Sequence, residues 1–209
     1  CATHWWQSAD HAPALNAAIR AAGLAVELYA YAEASLQFTR ALELWDRVPD
    51  AEAVAGMSRP EILMEAAESA RWNNAPHRSL ELAQSALELA TAELDQVRII
   101  ERMGTYYWES DRTNEAKASF ERAYFMLSKY PRSILTATVA ASRAHFMLLS
   151  SHYRAAIPAA REAVGLALSV DSPVAEGRAR ITLGMSLVFD GALHDGTEQV
   201  RRGHELILA

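Results

Sequence analysis

A small side chain returns along this chain at Ala34, Ser79, Ala116, Ala156 and Gly196, at intervals of 45, 37, 40 and 40 residues. Around one of these positions the pattern is fullest. Ile100, the pair Met103 and Gly104, and Tyr107 lead to Ala116, Phe120 and Ala123. Large, apolar-plus-small, aromatic, then small, aromatic, small is the signature of two helices pressed together, each small residue leaving room for the neighbouring backbone. A helix pair that recurs every 37 to 45 residues cannot bury its apolar face alone. It must stack on its neighbours, so the chain is read as a helical solenoid before anything else is considered. Stacked helix pairs are built for binding more than for catalysis.

The residue usage agrees. Hydrophobic residues make up 51% of the 209, enough to form a core, while Gly (9) and Pro (7) are scarce. No β-branched/polar alternation of useful length appears, so no strand is expected. A short helix is expected over about 1–8, carrying Trp5 and Trp6, within a first partial repeat over 1–30. Hairpins follow over about 15–49, 59–93, 95–129, 132–170 and 173–209, with 50–57 as a longer connection. Ser58-Arg59-Pro60-Glu61 is a capping-box start. Pro158 predicts a kink or a late helix start. The whole of 1–209 is read as a single superhelical domain, with both ends cut from something larger.

Net charge is −6 and the 20 basic residues are scattered among 26 acidic ones, which disfavours direct contact with nucleic acid. No apolar run is long enough to span a membrane, and no signal peptide is visible. The single cysteine, Cys1, excludes a disulfide framework within the chain. A cytoplasmic protein is the expectation.

The third pair resembles the tetratricopeptide repeat (TPR) in Ile100, Met103-Gly104, Tyr107, Ala116, Phe120, Ala123 and the following Pro131. The fifth pair keeps Leu183-Gly184 and Leu187 but has Val200 and Gly203 in place of the aromatic and the alanine. The fold expected is all-α, a right-handed α-solenoid of TPR-like helical hairpins with about eleven helices. A second resemblance rests on Ala2-Thr3-His4-Trp5-Trp6, Ala14-Leu15, Tyr29 to Ala34 and Arg40 to Trp45. These phrases are similar to the stretch after the ATPase module in large LuxR-type, maltose-regulator-like bacterial transcriptional regulators. That resemblance implies an inducer-sensing or protein-interaction domain whose parent binds ATP and DNA through other modules. This chain carries neither a phosphate-binding loop nor a DNA-reading helix.

Signals for chemistry are poor. Gly184-Met185-Ser186 lacks the second glycine of a nucleophile elbow and sits inside a helix. The seven histidines never stand four apart, so no metal site is expected. Asp111 to Glu115 reads as a turn with Thr113 or Asn114 as cap. No cofactor and no catalytic residue are expected.

In a TPR array the first helix of each pair lines the concave side. The resemblance therefore turns Glu68, Arg71 and Trp72 inward from the second pair, Arg98, Glu101, Thr105 and Trp108 from the third, and His145 from the fourth. In the fifth pair the inward positions include Ile181, Met185, Val188 and Phe189. Tryptophans beside Arg, Glu and His suit a peptide, a protein or a small-molecule inducer. A stand-alone adaptor for a peptide or protein partner is the alternative reading, and a homodimer is a further partner.

Overall fold

The structure, a computed structural model, describes residues 11–208. The helix expected over 1–8, with Trp5 and Trp6, lies outside the described residues. Among them every regular element is helical: α1 (His11–Glu27), α2 (Tyr31–Trp45), α3 (Ala51–Ala55), α4 (Arg59–Trp72), α5 (Pro76–Leu89), α6 (Glu93–Glu109), α7 (Thr113–Met126), α8 (Ile134–Leu149), α9 (Tyr153–Ser169), α10 (Pro173–Phe189) and α11 (Leu193–Leu208). A single 3-10 turn, Leu127–Lys129, follows α7. The fold is all-α, of the TPR-like solenoid class.

Two compact units divide the chain, one running to Asp111 and the other starting at Arg112. The first unit is built from α1 to α6. Its larger core joins Ala22, Phe38, Ile62, Ala66, Ala83, Ile99, Met103 and Tyr106. A second core brings Ala14, Leu15, Ala18, Ala41, Leu44 and Val48 against Ala51. That contact explains a departure from expectation: residues 50–57 contain a helix. Asp50 precedes α3 in the left-handed region (φ 52°), and Gly56 closes it there (φ 68°). The Asn16 side-chain amide donates to the Val54 carbonyl at 3.0 Å and ties α3 to α1.

The second unit, α7 to α11, is packed with the smallest side chains available. Ala140, Ala141, Ala163 and Ala179 form one cluster, and Ala144, Ala159, Ala160 and Leu183 another. Between α10 and α11 alanine gives way to glycine. A Cβ placed on Gly184 would stand 2.5 Å from the Gly196 carbonyl oxygen, and one on Gly203 would stand 2.6 Å from the Gly177 oxygen. The two backbones touch at both crossings. Helix packing, as read from the sequence, is what Gly184 does.

The recurring small positions Ala34, Ser79, Ala116, Ala156 and Gly196 are all buried. The corresponding first-helix positions Ala67, Gly104, Ala144 and Gly184 are buried too. Pro158 sits inside α9, which already begins at Tyr153, so the helix does not start late. No side chain caps α7: Arg112 stands at its N-cap, not Thr113 or Asn114.

One backbone device recurs with the repeat. Tyr29, Asn74, Asp111, Ser151 and Gly191 follow the ends of α1, α4, α6, α8 and α10, and all have positive φ. Tyr29 N–H donates to the Val26 carbonyl at 3.0 Å and Ala30 N–H to Ala25 at 2.8 Å. The Asn74/Ala75, Ser151/His152 and Gly191/Ala192 pairs repeat both bonds, and Asp111 N–H donates to Trp108 at 3.1 Å. This is the Schellman helix end, in which one left-handed residue lets the last carbonyls find partners.

Candidate functional site

In the first unit the site is built on α4 and α6. The start of α4 is fixed by the capping box read from the sequence. Ser58 accepts from the Glu61 backbone N–H, and the Glu61 carboxylate accepts from the Ser58 backbone N–H at 2.7 Å. From that start, Glu68, Arg71 and Trp72 fall on the last turns of α4, and α6 brings Arg102, Tyr106 and Glu109 against them.

Glu68 is the hub. Its Oε1 accepts from Arg71 Nη1 at 2.9 Å and from the Trp72 indole N–H at 2.9 Å. Its Oε2 accepts from the Tyr106 hydroxyl at 2.9 Å and from Arg102 Nη2. Arg71 also grips Glu109, with Nε 2.7 Å from Oε2 and Nη2 2.6 Å from Oε1. Two carboxylates thus take up both guanidiniums. Partial burial pushes the Glu68 carboxyl upward, but the Arg102 bond and charge, the Tyr106 hydroxyl and the Arg71 charge outweigh it and hold the group below the usual carboxylate range. Burial, then the Glu68 charge, push the Tyr106 phenol above its ordinary value.

A carboxylate with four donors has no lone pair to spare for general-base work or for a metal. Its effect is positional. It locks the Trp72 indole by its N–H while leaving the residue 56% exposed. The Arg71 guanidinium lies 4.5 Å from the Trp72 ring centre, and Tyr31 stacks on Trp72 at 5.8 Å with an interplanar angle of 20°. Tyr29 meets Tyr31 edge-on at 6.3 Å.

The structure therefore brings Glu68, Arg71 and Trp72 together. Arg98 is instead paired with Asp95 at 2.6 Å on a solvated face. Glu101 is buried, and its charge acts on Arg102. Thr105 and Trp108 are half-buried on α6. His145 belongs to the second unit. There its Nδ1 lies 3.3 Å from the Thr182 hydroxyl, and desolvation of the ring together with the Arg178 charge holds its pKa below the usual histidine value. In that unit Tyr124 donates to Glu162, while Arg143 lies 4.7 Å over the Tyr124 ring and donates to Glu121 at 2.8 Å. Partial burial and Glu162 push the Tyr124 phenol up to about 12.

Two inward positions of the fifth pair also pack within their own hairpin. Side-chain carbons of Ile181 and Val188 sit against Gly203 and Gly196 of α11, where an added Cβ would meet them at 2.8 and 2.6 Å. They fill the space that the glycines leave. Met185 and Phe189 remain exposed.

Sequence reasoning missed Arg102, Tyr106 and Tyr31. The repeat interval of 37 maps Glu68 onto Thr105. Arg102 and Tyr106 lie one turn before and one residue after that register, so a search for donors around the mapped position finds both.

No family model matches this chain, and no curated protein does. Solved structures do, at low identity. Aspartyl phosphate phosphatase F from Bacillus subtilis superposes with a TM-score of 0.78 at 15% identity, over 96% of this chain and 53% of its own. A putative kinesin light chain from Podosopora anserina with nearly identical TPR-like repeats gives 0.70 at 12%, over 94% of this chain and 95% of its own. The Rap conjugation gene regulator of plasmid pLS20, solved with the Phr* peptide, gives 0.71 at 14%, over 90% and 52%. At such identities the likeness is one of fold: a TPR-like helical repeat. Among the described residues no helix is long and apolar enough to cross a membrane.

Proposed function

We propose that this chain is a non-catalytic binding module that takes up a peptide or protein partner along the α4–α6 face of its first unit. The observation that carries the reading is Trp72: a large aromatic, 56% exposed, held rigid by Glu68 and Arg71 instead of being buried. A fixed, solvent-facing indole loses little conformational freedom when a partner covers it, which is how interface anchors work. That a TPR-like neighbour was solved with a peptide bound supports the same class of partner. The test is binding of captured partners or arrayed peptides to wild type, Trp72→Ala and the exposed control Leu89→Ala. Trp72→Ala should weaken binding at least tenfold and Leu89→Ala should leave it unchanged. Equal binding by all three removes Trp72 from the site.

The finer reading is that the module senses an inducer or partner for a LuxR-type transcriptional regulator, in the cytoplasm. It is supported by the Tyr29–Trp45 phrases, part of which, Tyr29, Tyr31 and Trp45, is structured in α2 and its approach. Reading the coding sequence on either side tests it: a phosphate-binding loop upstream and a helix-turn-helix downstream are the expected result, and two unrelated flanks overturn it.

A further inference from the structure

The turn between α1 and α2 breaks a rule that the other first-helix ends keep. Asn74, Asp111, Ser151 and Gly191 hold the left-handed position in their turns; Asn, Asp and Gly are the residues that tolerate or are built for positive φ, and Ser151 is at least small. The first turn has Tyr29, at φ 57° and 78% exposed. The helix end requires the left-handed conformation, but a bulky aromatic is disfavoured in it and gains no burial there, so the turn does not explain why the residue is tyrosine.

Tyr29 also has other apolar groups beside it. Leu24 (57%) and Leu28 (76%) stand one helical turn apart at the end of α1. Ring contacts run from Tyr29 to Tyr31 and on to Trp72. Tyr29, Tyr31 and Trp72 thus make an aromatic ridge that crosses from the α1–α2 turn to the end of α4, and the exposed Leu24 and Leu28 precede it in the chain. The charge around this ridge is one-sided. Glu27 and Glu33 flank the turn, and Glu65, Glu68 and Glu109 belong to the α4–α6 face. Glu68 and Glu109 are already taken up by Arg71 and Arg102, which leaves Glu27, Glu33 and Glu65 as the surplus against Arg20, one turn before Leu24 on α1.

We infer that this ridge receives a peptide segment with an apolar or aromatic core and flanking lysines or arginines. The inference rests on the binding-module reading and adds to it the place and the chemistry of the partner. The aromatic core meets Tyr29 and Trp72, and the flanking cations meet the surplus carboxylates, so the contact is salt-dependent and selective by sign. Tyr29 takes its costly conformation because it is the apex of the ridge.

The experiment uses synthetic peptides with one central Trp-Leu-Phe core, flanked by Lys/Arg, by Ser or by Asp/Glu, titrated against the full chain by fluorescence anisotropy at low and high salt. Lys/Arg-flanked peptides should bind at least tenfold tighter than Asp/Glu-flanked ones, and the gap should shrink at high salt. Tyr29→Asn, which keeps the turn, should cost at least tenfold in affinity with the thermal melt no lower than wild type. Preference for neutral or acidic flanks, or full affinity in Tyr29→Asn, overturns the inference. If Trp72→Ala abolishes binding while Tyr29→Asn does not, the ridge is wrong and the broader reading survives. If none of the peptides binds, the inference falls and the broader reading stands on its own partner assay; if neither substitution weakens binding, both fall.

Discussion

The same substitution, glycine to alanine, should have opposite effects at two helix-interior positions of the second unit. A Cβ on Gly165, within α9, meets nothing within 4 Å. Alanine there adds no contact and removes conformational freedom from the unfolded chain, so it should stabilise by about 0.5–1 kcal/mol. A Cβ on Gly184 would stand 2.5 Å from the Gly196 carbonyl oxygen, 2.7 Å from a Val200 methyl and 2.8 Å from the Val200 nitrogen. Two of those atoms are backbone and cannot rotate away, so α10 and α11 must separate by roughly 1 Å along their contact. Overpacking of that kind costs about 3 kcal/mol, and the helix-propensity gain returns up to about 1, leaving a net loss near 2 kcal/mol. For a chain of this size the melting temperature should rise by about 1–4 °C in Gly165→Ala and fall by about 4–8 °C in Gly184→Ala. Thermal unfolding followed by circular dichroism decides. Shifts of the same sign, or a Gly184→Ala melt within about 1 °C of wild type, would refute the claim that backbone contact holds this hairpin together.

Glu68→Ala should destabilise the chain by about 2–3 kcal/mol, because Arg102 and the fully buried Tyr106 lose a common acceptor; Tyr106→Phe, which removes one donor, should cost about 1 kcal/mol by urea unfolding. The Glu68 pKa is lowered on folding, so its stabilisation is present above the unfolded value of about 4.3 and disappears as pH falls through the lower folded value; an acid titration should therefore be steeper for wild type than for Glu68→Gln below that pH. Ser58→Ala removes the side-chain half of the α4 capping box and should cost about 1 kcal/mol in the same unfolding assay. Tyr29→Asn relieves the left-handed strain at the loss of one edge-on ring contact, for a net gain near 0.5 kcal/mol; a drop in stability instead would mean that the ring contributes more to folding than its exposure implies.

Much of this fold is legible in the sequence because small residues report backbone proximity directly. Ala34, Ser79, Ala116, Ala156 and Gly196 had to be small whatever surrounded them, and their spacing alone sets the hairpin architecture. Ser58, Pro60 and Glu61 announce a helix start because capping is settled within four residues. The helix over 51–55 was not legible: its short sequence carries no periodic stripe, and only packing against Leu15 and Ala18 makes it worth forming.

The site divides in the same way. That Glu68, Arg71 and Trp72 share one helix face follows from 3.6 residues per turn. That Arg102 and Tyr106 converge on the same carboxylate depends on how far α6 slides along α4, a distance set by the sum of many side-chain contacts and written in no single motif. The sequence by itself therefore determined the class of fold, the repeat register and half of the polar cluster, all of which rest on contacts within a turn or on a fixed period. Tertiary structure decided which carboxylate is saturated, which glycines bring backbones into contact and which aromatic residues stay in water, because each of those depends on where a second helix comes to rest.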